Sequence, residues 1–294
     1  METVRLGDYF ARQGWYPLDS EGCRAAIDGF VKERGESRAL DVSAQGWSGG
    51  VVPHAGWAFS GRLACRVFDT LSRGEGDPVS RVVLFGGHLG PRSRGWILRS
   101  GRWETPVGAL DTDEEFVELV VSRINHDGID VLPPSGYEPD NTIELQMPMV
   151  RHFFEGARVV TLGVPARLEG LEVGRMVAEV AARSKGRTLF VGSTDLTHYG
   201  LNYGFSPVGL GPEAVEWVRE KNDRAALDCI EALDAAALLE GALERRNACC
   251  PGAAGAALAA GRQVGAKRGA VLDYGTSYDV RPDNSFVGYV AAVF

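Results

Sequence analysis

The chain has 294 residues, 31 of them basic and 39 acidic, for a formal charge of −8. A negative balance with no block of like charge argues against nucleic acid or an anionic membrane as the main partner. Five cysteines, odd in number and irregularly spaced in a chain able to bury its own core, form no disulfide framework and point to a reducing cytoplasm.

From Met1 to Gly14, charges at Glu2, Arg5, Asp8 and Arg12 interrupt any apolar run, so neither a signal peptide nor a membrane span is expected. Strands are predicted at Gly50–Pro53, Arg81–Gly86, Ala157–Val164, Arg187–Gly192, Ala270–Tyr274 and Phe286–Phe294. Several are apolar on consecutive residues, as in Val82-Val83-Leu84-Phe85, which requires burial of both strand faces. Between them, helical periodicity runs over Gly61–Ser72, Asp113–Asn125, Leu171–Arg183, Ala214–Leu233 and Ala253–Gln263. Asp111-Thr112-Asp113-Glu114 offers an N-cap and first-turn acids to the second of these. The alternation predicts an α/β fold: a mixed, largely parallel sheet with helices on both faces. Gly74–Pro78 and Pro133–Pro139 are loop-rich but too short for linkers, so residues 1–294 are expected to form a single domain.

Polar residues collect just after three of the strands, where open α/β sheets gather ligands. Pro53-His54-Ala55-Gly56 follows the first, Gly86-Gly87-His88 the second and Ser193-Thr194-Asp195-Leu196-Thr197-His198-Tyr199 the fourth. A single buried histidine is usually a satisfied core residue; three at equivalent positions are harder to dismiss, because strand-end loops converge in space. His126 and His152 lie near helix ends and are expected at the surface. Cys249 and Cys250 precede the last helix, where a thiol tends to ionise and can ligate a soft metal, whereas Cys23, Cys65 and Cys229 are expected to pack. Gly46-Trp47-Ser48-Gly49-Gly50 matches the G-x-S-x-G elbow of esterases. The elbow needs a strand before the serine, and here the strand follows it, so the match is taken as chance. No dinucleotide fingerprint or phosphate-binding loop is present.

These residues occur in a recognisable order. Pro53-His54-Ala55-Gly56-Trp57 with Ser60-Gly61 resembles the PHAGY-x-x-SG signature of the Memo family. That family includes the eukaryotic mediator of cell motility and the bacterial AmmeMemoRadiSam system protein B. Asn141-Thr142-Ile143-Glu144-Leu145-Gln146-Met147-Pro148 is similar to its EHS-(I/L)-E-x-x-LP segment. Ser193 to Tyr199 resembles its SSDLSHY segment, and Tyr274-Gly275-Thr276-Ser277 with Phe286-Val287-Gly288-Tyr289 resembles its ending. The resemblance implies a three-layer αβα sandwich like that of class III extradiol dioxygenases. It also implies a metal site of two histidines and a cysteine, which fall here on His54, His88 and Cys249.

By the same resemblance Asp195 and His198 are acid/base candidates, and Trp57, Asn141, Glu144, Tyr199 and Cys250 line the substrate cleft. The sequence departs from the pattern in three places. Asn141 replaces the histidine of the EHS segment and cannot act as a base. Gly86-Gly87-His88 keeps its histidine on a changed turn, and Cys250 stands where the family usually has glycine, leaving either cysteine as the ligand.

A site of two imidazoles and one thiolate leaves coordination positions open, suited to one iron(II) or copper ion ahead of zinc and to redox chemistry on an unknown substrate. His198, held by Asp195 or by a carbonyl, would manage protons. The alternatives are a module that binds a peptide or metal without turnover, or an accessory to radical-SAM and AMMECR-type partner proteins, as the family association implies. For a peptide groove, Trp47, Trp57, Phe59 and Tyr199 are the aromatic candidates, with ordinary packing the simpler account. A phosphate site would need clustered arginines, and Arg92, Arg94, Arg99 and Arg102 have the spacing of a solvated face.

Overall fold

The computed structural model describes residues 5–33, 46–74, 76–124 and 128–294. Its strands in chain order are β1 (Arg5–Leu6), β2 (Gly49–Val52), β3 (Val79–Gly86), β4 (Gly95–Leu98), β5 (Arg102–Thr105), β6 (Gly108–Asp111), β7 (Ile129–Leu132), β8 (Arg158–Gly163), β9 (Arg187–Ser193), β10 (His198–Tyr199), β11 (Ala270–Thr276) and β12 (Phe286–Val293). The helices are α1 (Ser20–Glu33), α2 (Trp57–Ser72), α3 (Glu114–Ile124), α4 (Asn141–Glu144), α5 (Met147–Phe153), α6 (Leu168–Arg183), α7 (Pro212–Trp217), α8 (Arg224–Ala232), α9 (Ala235–Arg245), α10 (Pro251–Gln263) and α11 (Ser277–Val280).

Nine strands form one sheet, in the order β10-β12-β2-β9-β3-β8-β4-β7, with β11 also paired to β12. The central strands β2, β9, β3 and β8 run parallel, and the flanking pairs β2–β12 and β8–β4 are antiparallel. The consecutive apolar residues of β3 explain the layering. Val83 and Phe85 enter a core with α3, α6, α8, α9 and α10, while Val82 and Leu84 enter a second core with α1, α2 and α5. One strand therefore feeds two cores, as a helix–sheet–helix sandwich requires. A smaller sheet, β1-β5-β6, lies beside it. No helix among the described residues is long and apolar enough to cross a membrane.

The six predicted strands all form, with shifts of one to two residues at their ends. Four of the five predicted helices form with ends extended or trimmed, although Asn125 and His126 lie outside the described residues. Asp113 caps α3 as expected, its carboxylate accepting from the Phe116 amide, and it also pairs with the buried Arg81 at 2.6 Å.

The predicted helix Ala214–Leu233 needs correction. It divides into α7, a π-helical turn at Val218–Asp223 and α8, and ends on Leu233 in the left-handed region at φ 53°. The π turn carries Asn222 and Asp223, both buried. His152 also departs from expectation: it is half-buried at the end of α5, with Nδ1 enclosed and without a hydrogen bond. Ser48 sits ahead of β2 and donates to the Phe294 carbonyl, so it is no elbow nucleophile. Cys23 and Cys65 are fully buried and Cys229 partly so, in keeping with packing roles. Arg94, Arg99 and Arg102 form exposed pairs with Asp130, Glu118 and Asp111, as expected of a solvated face.

Candidate metal centre

Three adjacent parallel strands end at the same edge of the sheet. β9 lies between β2 and β3, so the loop carrying Ser193, Thr194 and Asp195 is flanked by His54 on one side and His88 on the other. At Gly87 the backbone adopts φ 88°, a left-handed turn open to glycine, and its amide donates to Thr142 Oγ1 at 2.8 Å. That turn carries His88 toward β9. The fourth component arrives from the opposite layer, where α10 lies against β9. A Cβ on Gly192 would stand 2.8 Å from the Ala253 carbonyl oxygen and 2.8 Å from the Ala254 Cα. Glycine there allows the first turn of α10 to seat, and with it Cys249 and Cys250 just before the helix.

His54, His88, Cys249 and Cys250 each present a donor atom, and these four atoms lie within 4.8 Å of one another. His54 Nε2 is 3.3 Å from Cys249 Sγ, His88 Nδ1 is 3.3 Å from Cys250 Sγ, and the two sulfurs are 3.6 Å apart. The remaining ring nitrogens face fixed partners. His54 Nδ1 meets Ser193 Oγ at 3.0 Å, and His88 Nε2 meets Asn141 Oδ1 at 3.1 Å. If those outer nitrogens carry the protons, the inner lone pairs of both rings aim at the sulfurs, the arrangement by which protein histidines are held for a metal. Asn141 has a second bond, from its Nδ2 to the His54 carbonyl at 3.0 Å. In place of a base, it braces the His88 imidazole against the backbone of His54.

Electrostatics favour charge separation inside the cluster. Burial works against the Cys249 thiolate, but the Cys250 thiol, the charge of His54 and bonds to both histidines outweigh it and hold Cys249 well below its usual range. Burial also disfavours a charged His54, yet Asp195 and then Cys249 raise it to about 9. His88 is raised as well, first by hydrogen bonding with Cys249. Cys250 goes the other way, pushed well up by burial and then by its neighbour's thiolate. The cluster thus combines a thiolate with soft and intermediate donors, a set that fits a transition-metal ion.

Asp195 serves His54. Its Oδ1 accepts from the His54 amide at 2.8 Å and its Oδ2 lies 3.8 Å from His54 Nε2, while its own carbonyl accepts from the Cys249 amide at 3.0 Å. Of the two anchors considered for His198, the structure has the carbonyl: Nδ1 faces the Leu196 oxygen at 3.2 Å. The two histidines of the cluster line a cavity of about 660 Å³ together with Asn141, Asp195 and His198, and the cysteines lie behind them.

Of the expected cleft residues Asn141 lines the cavity, whereas Trp57, Glu144, Tyr199 and Cys250 do not. Trp57 is buried, and its indole donates to the Leu145 carbonyl. Glu144 is buried too and accepts from the Phe10 amide and the Tyr16 hydroxyl. Tyr199 is enclosed by Phe286 and Val215, with its hydroxyl bonded to the Gly209 carbonyl. Each satisfies a buried polar group against backbone or a neighbouring side chain, and so faces away from the cavity. Its aromatic walls are instead Trp15, Phe59, Tyr203 and Tyr289, with Arg281 and Asp283 also lining it. Trp15 and Tyr203 come from segments with no periodicity, and nothing local to them in the sequence marks them as cleft residues.

A family model described as Memo-like protein matches residues 12–293. The chain belongs to the Memo family. Relatives include a MEMO1 family protein of Pyrococcus horikoshii, 29% identical over 294 residues, covering 97% of this chain and 98% of that one. Another, from Methanopyrus kandleri, is 31% identical over 289 residues and covers 95% of each chain. A third, from Methanosarcina acetivorans, is 31% identical over 287 residues, again covering 95% of each. The Memo match spans every element that carries the cluster, from His54 to Cys250.

Proposed function

We propose that the protein is a metal-dependent redox enzyme that holds one iron or copper ion on His54, His88 and Cys249 and acts on a small organic molecule entering the cleft. The observation that carries this reading is the convergence of the two imidazoles. Each has its outer nitrogen engaged, by Ser193 or Asn141, and its inner nitrogen directed at a cysteine sulfur beside a cavity of about 660 Å³. A histidine that merely filled the core would not need this arrangement twice at one point. When bound, such an ion supplies a one-electron centre beside the cavity wall.

The chain's own residues account for the remaining chemistry. Asp195, fixed by the His54 amide, keeps negative charge beside the histidine and favours a cation there. His198 engages its Nδ1 with the Leu196 carbonyl, which leaves Nε2 to exchange a proton with a molecule in the cavity. Trp15, Phe59 and Tyr203 offer apolar faces, and Arg281 and Asp283 offer charges of both signs to polar substituents.

Metal analysis of protein purified without oxygen tests the reading. Near-stoichiometric iron or copper is expected in the wild type, with loss of the ion from His54→Ala and Cys249→Ala. A metal-free wild type that also refuses added Fe(II) and Cu(I) overturns it, and the cleft is then better regarded as a binding module.

A further inference from the structure

We infer that Cys250 is a fourth protein donor, so that the ion sits between two imidazole nitrogens and two thiolate sulfurs. The inference rests on the proposal above that an ion is bound, and it specifies the ion's surroundings.

The distances already fit. A tetrahedral centre with metal–sulfur bonds of about 2.3 Å and metal–nitrogen bonds of about 2.0 Å sets its sulfurs about 3.8 Å apart and each sulfur about 3.5 Å from a nitrogen. Here the sulfurs are 3.6 Å apart, two of the four sulfur–nitrogen edges are 3.3 Å, and every remaining pair of donors lies within 4.8 Å, close enough for one ion to draw together. Cys249 lies against His54 and Cys250 against His88, with the two sulfurs in contact between the rings.

Adjacent residues in an extended chain point to opposite sides. These two do not, and their backbone shows why. The Cys249 amide donates to the Asp195 carbonyl at 3.0 Å, and the Cys250 amide donates to Thr194 Oγ1 at 3.1 Å. Cys250 takes φ −127° and ψ 59°, ahead of Pro251, and leaves the extended form. The β9 loop therefore holds both amides and turns both sulfurs to the same point. A cysteine that only packs would present its sulfur to apolar atoms. Cys250 does join the apolar core beneath the sheet, but its sulfur is directed at His88 Nδ1 and Cys249 Sγ.

Two sulfurs make the site softer than the three-donor set and fill a position that a second molecule would otherwise occupy on the ion. Such a set favours copper(I) over iron(II).

Cobalt(II) alone is a suitable probe, because sulfur-to-cobalt charge transfer in the near ultraviolet grows with the number of thiolates bound. Wild type, Cys250→Ala, Cys250→Ser and Cys249→Ser would each be loaded with cobalt, with folding checked by thermal melting. Serine is nearly isosteric and serves if the alanine variant does not fold. The expected result is one cobalt per wild-type chain, and about half the charge-transfer intensity per cobalt in the Cys250 variants and in Cys249→Ser. Full intensity in the Cys250 variants overturns the fourth donor and leaves the metal site standing. A wild type that binds no cobalt overturns both. Anaerobic loading from equal Fe(II) and Cu(I) should place copper in the wild type, and iron there would also count against the four-donor site.

Discussion

The amide of Asn141 spans two loops, its oxygen on His88 and its nitrogen on the backbone of His54. Outer partners of this kind fix which ring nitrogen is free and where it points, and their loss costs metal proteins roughly 10- to 100-fold in affinity. Asn141→Ala is therefore expected to weaken metal binding by about that factor while leaving the melting temperature of the metal-free protein nearly unchanged. Competition with a chelator of known affinity measures it, and an unaltered affinity would show that the His88 ring is fixed by its turn alone. The sequence shows that Asn141 cannot be a base. It does not show the bracing role, because that depends on two residues 53 and 87 positions away.

Among elements, the contact between β9 and α10 governs the site. With the Ala253 oxygen 2.8 Å from a Cβ at position 192, Gly192→Ala forces the first turn of α10 outward. Overpacking of this kind costs about 1–3 kcal/mol, and here the movement falls on Cys249 and Cys250. A lower melting temperature together with reduced metal content is expected; loss of stability with full metal retention would show that the turn absorbs the strain elsewhere. His54 and His88 were legible in the sequence because each follows a run of apolar residues and has a glycine close by, signals that are local. Strands β4 and β7 escaped it, being four residues each and paired to strands distant in the chain, and β5 and β6 did because they are the four-residue arms of one short hairpin. Helix α1 and helix α9 went unassigned as well. Tyr199 was misplaced for a related reason: its burial is made by Phe286, which lies far along the chain. Cys250 could be recognised as unusual, but the direction of its sulfur is set by Thr194 and Asp195 and is a property of the folded loops.

At the scale of the whole molecule, the π turn places a buried carboxylate behind the β9–β10 loop. Asp223 accepts from the Thr197 amide, the Thr197 hydroxyl and the Tyr274 hydroxyl, yet burial outweighs these bonds and pushes its carboxyl up to about 6. A carboxyl raised from the ordinary aspartate value of 3.8 binds more protons in the folded than in the unfolded chain between those two pH values. Stability therefore falls as pH rises through that window, by about 3 kcal/mol for a shift of this size. Asp223→Asn should remove this slope, seen as a smaller drop in melting temperature between pH 4 and pH 6.5 than the wild type shows. Equal drops in both proteins would mean that Asp223 is charged throughout.

Strand β12 pairs with β2 through Ala292 opposite Val51 and Val293 opposite Gly50, some 240 positions apart in the chain. Such pairing closes a very long loop before it is rewarded, which slows folding. The strand leading into His54 keeps an open edge until those residues emerge from the ribosome and dock. The sheet beside His54 is therefore closed by one of the last strands of the chain to be made, whatever its other strands have done by then.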